Sequence, residues 1–317
     1  MVPPGRPYGR AVLAVSRSVP TPDAVARLVA DAYRIAVTDC VLLRSLVNDV
    51  YLVHADSGRA VLKLYAADHR TPAEVAWEAR LAEHLADAGA GVPRPRRTAA
   101  GDPVGTASAP EGDRAYLLWE YVPGVAPAPE AALYRRFGAL VAGWHAAADR
   151  FAGPARYDRR GHDDTTRAVL AALADRPADR ALVASLGSAA GTALRRYGPA
   201  LDHGICHGDV TLDNLLAGPD GLYLHDLDLA GHRPRASDLT GVAGTRYFDD
   251  FAAGYRQVRP LRDADLAALP WCRVVALVAN LHFHLVAKPR LCGTDSVREG
   301  WADRTLAELR RLAAELR

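Results

Sequence analysis

The sequence has few cysteines and no long apolar run, and both shortages restrict what the protein can be. The four cysteines are widely spaced and form no Cys-x-x-Cys pair. This spacing argues against a zinc knuckle and against a disulfide framework, and it fits a reducing cytoplasm. The apolar run at residues 11–15 is too short for a signal peptide core, and we expect no later stretch to approach the length needed to span a bilayer. We therefore expect a cytoplasmic protein without a membrane partner.

An excess of one charge is also missing, because 39 Lys and Arg residues face 37 Asp and Glu residues. A formal net charge of +2 does not indicate binding to nucleic acid, and we expect no such partner. Lysine is scarce beside arginine, so single arginines receive little functional weight. An apolar fraction of 50% and a charged fraction of 24% are typical of a globular chain. The 317 residues suffice for one large domain or two ordinary ones.

The first part of the chain changes its local pattern twice. Residues 1–20 contain several Pro and Gly residues without periodicity, and we interpret them as a loose arm. Thr21 and Pro22 then form the start signal of a helix that would run to about Ile35. Strand-like segments follow at residues 50–53 and 60–65, and the turn-rich loop between them predicts a hairpin.

A second helix is predicted from Thr71-Pro72 to about Gly89, and a further strand covers residues 114–121. Pro123-Gly124 stops that strand and marks a boundary. The expected organisation is a small N-lobe with an antiparallel sheet at residues 21–123 and a larger, mostly helical C-lobe at residues 124–317. The predicted fold class is therefore α+β.

One block interrupts the helical pattern of the C-lobe. It reads His207-Gly208-Asp209-Val210-Thr211-Leu212-Asp213-Asn214 and continues, after a gap, as Leu224-His225-Asp226-Leu227-Asp228. Within the gap, the short apolar runs 215–217 and 222–224 flank a Gly-Pro-Asp-Gly turn, which predicts a tight hairpin. Such a hairpin would bring Asn214 and Asp226 to the same end of two paired strands, with Asp209 in the loop just before them.

This arrangement suits phosphoryl transfer. Asp209 could orient an attacking hydroxyl and accept its proton, while the Asn214 amide oxygen and the Asp226 carboxylate could bind Mg²⁺ as hard oxygen ligands. The alternative is a polar turn between buried strands, since Asp and Asn are common in turns. We favour the functional interpretation because the polar residues occur in order, at workable spacing, on one predicted hairpin.

The block resembles the catalytic and metal-binding loops of the aminoglycoside phosphotransferase and choline kinase family. The resemblance implies a protein-kinase-like two-lobed fold and a reaction that uses ATP, or GTP, with Mg²⁺. It implies that Asp209 is the catalytic base and that Asn214 and Asp226 bind the metal. By the same resemblance, His207 would brace the loop and Asp228 would support the site.

The resemblance also assigns roles to the two lobes. The N-lobe would bind the nucleotide, and the C-lobe would carry the catalytic loop, the metal site and the acceptor-binding helices. Asp238 resembles a structural aspartate that starts the next helix. The short interval between Asp226 and Asp238 leaves no room for a long activation segment, so regulation by phosphorylation of such a loop is not expected.

Lys63 supplies an independent indication in the N-lobe. It lies in an otherwise apolar predicted strand, where a lone cation is costly unless it is paired or reaches solvent. Glu78 lies on a leucine-bearing face of the following helix and could pair with Lys63. Lys63 would then hold nucleotide phosphates, as in the kinase template. The alternatives are an edge-strand lysine with a solvated glutamate, and Glu74 in place of Glu78.

Two weaker features complete the predicted nucleotide site. The strand before Pro123-Gly124 resembles the hinge between the lobes in this family, which implies that the backbone from about Glu120 to Val122 hydrogen-bonds adenine. Residues 44–50 lie where protein kinases carry a glycine-rich loop, yet they include no glycine. The family often has a polar loop there, so Ser45 and Asn48 could contact phosphate.

The sequence leaves the phosphate acceptor open. Residues 231–317 hold 14 Arg and Lys against 10 Asp and Glu, which disfavours a polycationic antibiotic. The expected acceptor is a hydroxyl of a small molecule, such as an amino acid, a sugar or a natural product, antibiotics included. A Ser or Thr of a biosynthetic precursor peptide is an alternative. Two other classes stay open, a catalytically silent kinase-like binding module and a metal-dependent hydrolase built on the same carboxylates.

Overall fold

The structure, a computed structural model, describes residues 14–67, 69–156, 161–292 and 299–316. The strands of the N-lobe are β1 (Val37–Ser45), β2 (Asp49–Ala55), β3 (Gly58–Leu64), β4 (Pro95–Arg96), β5 (Gly105–Ala109) and β6 (Gly112–Glu120). They form one antiparallel sheet in the order β1-β2-β3-β6-β4, with β5 also paired to β6. This sheet and the helical lobe that follows it confirm the predicted α+β, two-lobed fold.

Two helices, α1 (Pro22–Tyr33) and α2 (Pro72–Asp87), cover opposite faces of the sheet. On β6, Leu118 packs in the apolar cluster that contains α1, whereas its neighbour Leu117 packs in the cluster that contains α2. Successive side chains of a strand point to opposite faces, so a strand that is covered on both sides is apolar at every position. This explains the unbroken apolar run at residues 115–119.

The starts of both helices follow their sequence signals. The Thr21 hydroxyl accepts the backbone N–H of Ala24 in the first turn of α1, and Pro22 occupies the first helical position. In α2, Thr71 and Glu74 form a reciprocal capping box ahead of the helix. Glu74 is thereby committed to the helix end, which separates its role from that of Glu78.

The predicted β2–β3 hairpin is confirmed, and it places Lys63 inside the sheet. Val50 of β2 lies opposite Lys63, and Leu117 of β6 lies opposite it on the other side. β3 is therefore an internal strand, and the edge-strand interpretation of Lys63 is wrong. The Lys63 side chain is buried and so needs the ionic partners described below.

The described part of the predicted arm, residues 14–20, lies against the N-lobe. The Tyr51 hydroxyl donates to the Pro20 carbonyl at 2.6 Å, and the Arg114 guanidinium donates to the Ser18 carbonyl at 3.0 Å. Arg17 also forms an ion pair with a carboxylate of β2. These contacts hold residues 17–20 on the sheet, while the lobe boundaries at residues 20 and 123 stay predictions.

The C-lobe is mostly helical, as predicted. Its helices are α3 (Ala131–Ala148), α4 (His162–Ala172), α5 (Pro177–Tyr197), α6 (Thr240–Ala243), α7 (Phe248–Arg256), α8 (Asp263–His282), α9 (Lys288–Cys292) and α10 (Trp301–Glu315). Its strands form two antiparallel pairs, β7 (His203–Cys206) with β10 (Gly231–Pro234) and β8 (Leu215–Gly218) with β9 (Gly221–Leu224). Helices α3 and α7 share an apolar core with the β8–β9 pair, and α4, α5, α8 and α10 share a second core.

Helix α8 continues through a π-helical turn (Phe283–Ala287) into α9. By length and composition alone, residues 263–291 are long and apolar enough to cross a bilayer, because an 18-residue window within them has a mean hydropathy of 1.5. The expectation that no stretch of the chain reaches this length is therefore wrong. Val274, Val278 and Leu281 are fully buried against α4, α5 and α10, so one face of the segment packs in the protein core, and 33% of the apolar window is buried.

Candidate active site

The predicted β8–β9 hairpin is confirmed, and it brings two of the predicted site residues to one end. Leu215 of β8 lies opposite Leu224 of β9. Asn214 immediately precedes β8, and Asp226 follows β9 by two residues, so both lie beyond the same end of the pair. The His225 N–H donates to the Asn214 carbonyl at 2.9 Å and continues the pairing there.

Asp209 is held in place by Asn214. The Asn214 side-chain amide donates to the Asp209 carboxylate at 2.8 Å and to its carbonyl at 3.0 Å. The Asp209 side chain is exposed, yet desolvation by the surrounding protein raises the pKa of its carboxyl above the usual value. The arrangement orients a carboxylate that can accept a proton, and it turns the Asn214 amide oxygen away from Asp209.

Asp226 lies between the two lobes. Its Oδ1 accepts a hydrogen bond from Lys63 at 2.6 Å, and its Oδ2 accepts one from Arg44 at 3.3 Å. Burial alone would raise the pKa of Asp226, but the charge and the hydrogen bond of Lys63 hold that pKa below its ordinary value. The Asp226 backbone has a φ of 69°, a left-handed conformation that is uncommon outside glycine and concentrated at functional sites.

Lys63 joins Asp226 to the N-lobe helix. Its ammonium lies 3.6 Å from the Glu78 carboxylate and 4.0 Å from the Asp228 carboxylate. Burial would lower the pKa of Lys63, but Glu78, Asp228 and Asp226 together raise it, so Lys63 stays charged. The Tyr65 hydroxyl donates to the same Glu78 oxygen at 2.8 Å. The structure thus places Glu78, rather than Glu74, beside Lys63.

Asp228 ties the two lobes together. Its carboxylate accepts hydrogen bonds from the Asn48 amide at 3.0 Å and from the Arg70 guanidinium at 2.9 Å. His69 lies 3.4 Å from the same carboxylate. Burial would raise the pKa of Asp228, but Lys63, His69 and Arg70 hold it well below the usual value. Asp228 is therefore ionised and links residues 48, 69 and 70 of the N-lobe to the C-lobe.

The two loop residues predicted to contact phosphate make other contacts in this structure. The Ser45 hydroxyl donates to the Asp49 carboxylate at 2.6 Å. The Asn48 amide donates to Asp228, and its oxygen accepts the Ala66 N–H at 3.2 Å. Both side chains thus fix the β1–β2 loop, and their predicted contacts with phosphate stay predictions.

The predicted hinge lies at the end of β6. The Glu120 N–H donates to the Arg94 carbonyl at 2.8 Å, so that donor is already engaged. Three residues beyond Val122 the chain reaches β8, where Val125 pairs with Ala217 across an isolated bridge. Residues 120–125 therefore connect β6 directly to the β8–β9 hairpin, and the contact with adenine stays a prediction.

A buried hydrogen-bond network fixes the loop at residues 207–209 from below. The His207 and Gly208 N–H groups each donate to the Asp238 carboxylate at 2.7 Å. The His207 ring donates from Nε2 to the His225 carbonyl at 3.0 Å, while its Nδ1 accepts the Asp209 N–H at 3.3 Å. Burial lowers the pKa of His207, which suits this neutral ring. Asp238 lies in a 3₁₀ turn (Arg235–Leu239) directly before α6.

A model of one protein family matches the chain over residues 40–275. It describes the phosphotransferase enzyme family, and the matched residues include Lys63, Asp209, Asn214 and Asp226. The chain belongs to the phosphotransferase enzyme family. The predicted family and the predicted phosphotransferase class of enzyme are thereby confirmed.

Two relatives show how far the similarity extends beyond this match. An uncharacterized protein of Deinococcus radiodurans is 38% identical over 276 residues, which cover 80% of this chain and 79% of the relative. A homoserine kinase of Methylobacterium radiotolerans is 30% identical over 247 residues, which cover 73% of this chain and 74% of the relative. Both similarities extend over most of each protein, so they include both lobes.

Solved structures of kinases have the same fold. A microcompartment-associated aminopropanol kinase superposes with a TM-score of 0.74 at 21% identity, covering 92% of this chain and 98% of the other. Amicoumacin kinase, solved with AMP-PNP, Ca²⁺ and its antibiotic, superposes with a TM-score of 0.71 at 19% identity, covering 90% and 92%. At these identities the likeness shows the fold alone, and it confirms the kinase-like architecture.

Three residues of this phosphotransferase lie in the site without having been predicted there. Arg44 contacts Asp226, Tyr65 contacts Glu78, and Arg70 contacts Asp228. Tyr65 could have been found from its position two residues after Lys63, because side chains two residues apart point to the same face of an extended chain. Arg44 is the penultimate residue of β1 and Arg70 lies in the loop before α2, and no local sequence pattern predicts their partners, which are 182 and 158 residues away.

Proposed function

We propose that this chain is an ATP- and Mg²⁺-dependent phosphotransferase that moves the γ-phosphate to a hydroxyl group of a small molecule. The observation that carries the proposal is the convergence of two lobes on one carboxylate. Lys63 of the N-lobe meets Asp226 of the C-lobe at 2.6 Å, at the same end of the hairpin as Asn214 and Asp209. This set contains a cation for phosphates, oxygen ligands for a metal and a base for a hydroxyl.

The chemistry of the donor set fits Mg²⁺. Asp226 supplies a carboxylate whose lowered pKa keeps it ionised, and Asn214 supplies an amide oxygen. The Asn214 nitrogen is committed to Asp209, which fixes which end of the amide is presented as a ligand. Mg²⁺ prefers such hard oxygen ligands and retains several of its waters. When bound, the ion would neutralise charge on the nucleotide phosphates.

Asp209 is the proposed base. Its side chain is exposed, so an acceptor hydroxyl can reach it, and Asn214 fixes its orientation. Desolvation raises its pKa, which makes it a better proton acceptor than a solvated aspartate. Lys63 would hold the phosphates, and Glu78 would keep Lys63 charged and positioned when the nucleotide draws it from Asp226.

The acceptor is proposed from the relatives as well as from the site. The homoserine kinase relative acts, by its name, on a small hydroxy amino acid, and amicoumacin kinase was solved with an ATP analogue. We therefore expect a small hydroxyl compound rather than a Ser or Thr of a peptide. The presence of the base, both metal ligands and the lysine in one cluster also speaks against a silent binding module.

The first experiment measures nucleotide binding by calorimetry and thermal shift, with and without Mg²⁺. ATP at about a hundred times its Kd should stabilise the protein by roughly 2.7 kcal/mol. In Asp226→Ala the dependence on Mg²⁺ should disappear, whereas Asp220→Ala, an exposed aspartate in the hairpin turn, should behave as wild type. Transfer is then tested with homoserine and aminopropanol as first acceptors. Failure of the wild type to bind ATP or GTP with any divalent ion would overturn the proposal, and hydrolysis independent of ATP would favour a hydrolase.

A further inference from the structure

The loop between β1 and β2 is fixed by side chains instead of being left flexible by glycine. Arg17 donates to the Ser45 hydroxyl at 2.9 Å and pairs with Asp49 at 2.5 Å. Asp49 is fully buried, and its second oxygen pairs with the buried Arg114 at 2.7 Å. A buried pair of this kind holds its partners rigidly, because breaking it would leave a charge without a partner. The loop backbone is thus fixed before any ligand binds.

Arg44 is the side chain of this loop that reaches towards the catalytic hairpin. It is the penultimate residue of β1, next to the loop, and its guanidinium lies 3.3 Å from Asp226 Oδ2. Its side chain is 60% exposed, whereas that of Lys63 is 8% exposed. An exposed ion pair of this length contributes little to stability, so Arg44 can exchange its partner at small cost.

Both oxygens of Asp226 are occupied in this arrangement. Lys63 takes Oδ1 and Arg44 takes Oδ2, on a residue that the proposed function assigns to the metal. A divalent cation on Asp226 would turn a local charge of −1 into about +1, because the ion carries two positive charges. Arg44 would then be repelled from its present partner and attracted to the anionic phosphates that accompany the metal.

We infer that Arg44 is a ligand of the nucleotide triphosphate, which in the free enzyme rests on Asp226 and leaves it when metal and nucleotide bind. The inference rests on the proposed function. Ser45 and Asn48 are committed to the loop and to Asp228, so a guanidinium supplies the phosphate contacts that a glycine-rich loop would supply through its backbone. The planar guanidinium also matches phosphate geometry with two parallel donors.

The test compares Arg44→Gln, which removes the charge, with Arg44→Lys, which keeps it. Arg27→Gln is the matched control, because Arg27 is an exposed arginine on α1 of the same lobe. Dissociation constants for MgATP, MgADP and adenosine are measured by calorimetry, and Mn²⁺ binding without nucleotide is measured by electron paramagnetic resonance. Thermal midpoints without ligand show whether the variants are folded like the wild type.

We expect Arg44→Gln to weaken MgATP binding by about tenfold, which corresponds to about 1.4 kcal/mol, because the variant loses a charge-assisted contact with phosphate. The affinity of Arg44→Gln for adenosine should stay within about twofold of the wild type. Its loss of affinity for MgADP should be smaller than for MgATP and larger than for adenosine, and Arg44→Lys should lose less affinity for MgATP than Arg44→Gln. Mn²⁺ alone should bind Arg44→Gln more tightly than wild type, because its competitor for Asp226 is gone. This last readout does not depend on catalysis.

Other outcomes would overturn the inference. An unchanged affinity for MgATP in Arg44→Gln would show that Arg44 does not bind phosphate, and an equal loss for adenosine would show damage to the loop. An unchanged or weaker affinity for Mn²⁺ would show that Arg44 does not compete with the metal. These results leave the proposed function intact, whereas failure of the wild type to bind any nucleotide would remove both.

Discussion

The C-lobe aspartates Asp238 and Asp226 both have lowered pKa values, but different groups lower them. Burial would raise the pKa of Asp238, and the His145 ring and backbone N–H groups counteract it. The donors are the His145 Nε2 at 2.9 Å and the N–H groups of His207 and Gly208 at 2.7 Å. All belong to the same lobe, and backbone donors cannot move without moving the loop. Asp238 thus contributes rigidity to the catalytic loop.

Asp226 depends instead on the other lobe. Its partners, Lys63 and Arg44, are long side chains of the N-lobe. Under the proposed function, both side chains leave Asp226 for phosphates when a metal ion binds. Asp238, whose partners are fixed, and Asp226, whose partners can be exchanged, therefore lie on either side of the loop that carries Asp209. The difference teaches where to expect losses of stability and where to expect losses of function.

The largest effect is expected for the group that should serve chemistry alone. Asp209→Asn should lower transfer to the acceptor by about 10²–10⁴-fold, the range of general base catalysis. The change keeps the size of the side chain, so the free energy of unfolding and MgATP affinity should change little. Turnover, calorimetry and urea unfolding are compared with those of Asp220→Asn, an exposed control in the hairpin turn. Near-normal turnover would remove Asp209 from the role of base.

Asp238→Ala should instead affect the fold. The change leaves the N–H groups of His207 and Gly208 buried without an acceptor, and it removes the acceptor of His145 Nε2. We expect a loss of about 3–5 kcal/mol in the free energy of unfolding. Asp226→Ala, measured in parallel by urea unfolding, should lose far less. Equal losses in the two variants would break the distinction between fixed and exchangeable partners.

The sequence predicted the parts of the site that depend on local pattern. The order of polar residues around the β8–β9 hairpin predicted that Asn214 and Asp226 meet at one end, and the pairing of Leu215 with Leu224 produces that result. The capping signal at Thr71 likewise predicted the start of α2. These features follow from turn and cap chemistry within about ten residues of chain.

The sequence could not predict contacts between distant loops. Arg44 and Asp226 are 182 residues apart, and Asn48 and Asp228 are 180 residues apart. Such pairs depend on how the lobes dock, which no local periodicity encodes. For the same reason, a charge count over residues 231–317 gave no position for the acceptor. Lys63 was predictable because a cation in a buried strand requires a partner wherever the partner lies.

A pH dependence of stability should follow from the fixed network. Burial lowers the pKa of His145 below its ordinary value, despite the Asp238 carboxylate beside it. Below about pH 6.5 the unfolded chain therefore binds a proton that the folded chain does not, and stability falls as pH falls. His145 contributes at most about 1.4 kcal/mol per pH unit. Urea unfolding of His145→Gln between pH 7.5 and pH 5 should show a correspondingly shallower slope, and an identical slope would exclude His145 as a source.

The smallest effect is expected for Tyr65→Phe. This variant tests whether the ion pairs of Lys63 with Asp226 and Glu78 depend on a fixed hydrogen bond from Tyr65. The Tyr65 hydroxyl donates to Glu78 Oε1 at 2.8 Å, while Glu78 Oε2 is buried without a hydrogen-bond partner among the described residues. Loss of the hydroxyl should cost about 1 kcal/mol of stability and leave Lys63 as the main partner of Glu78. Glu78 should then be less fixed in position and should orient Lys63 less well, so the affinity for MgATP should fall a few-fold.

Tyr197→Phe on α5 is the matched control, because no partner of its hydroxyl is found within the described chain. If Tyr65→Phe loses stability but keeps its MgATP affinity, Tyr65 belongs with Asp238 as a group that serves the fold. If both fall while Tyr197→Phe is unchanged, Glu78 needs a fixed donor in order to position an exchangeable lysine. In that case Lys63 is positioned through Glu78 by Tyr65, a residue that does not itself bind the ligand. Asp209 is likewise positioned through the loop by Asp238, which holds the N–H groups of His207 and Gly208.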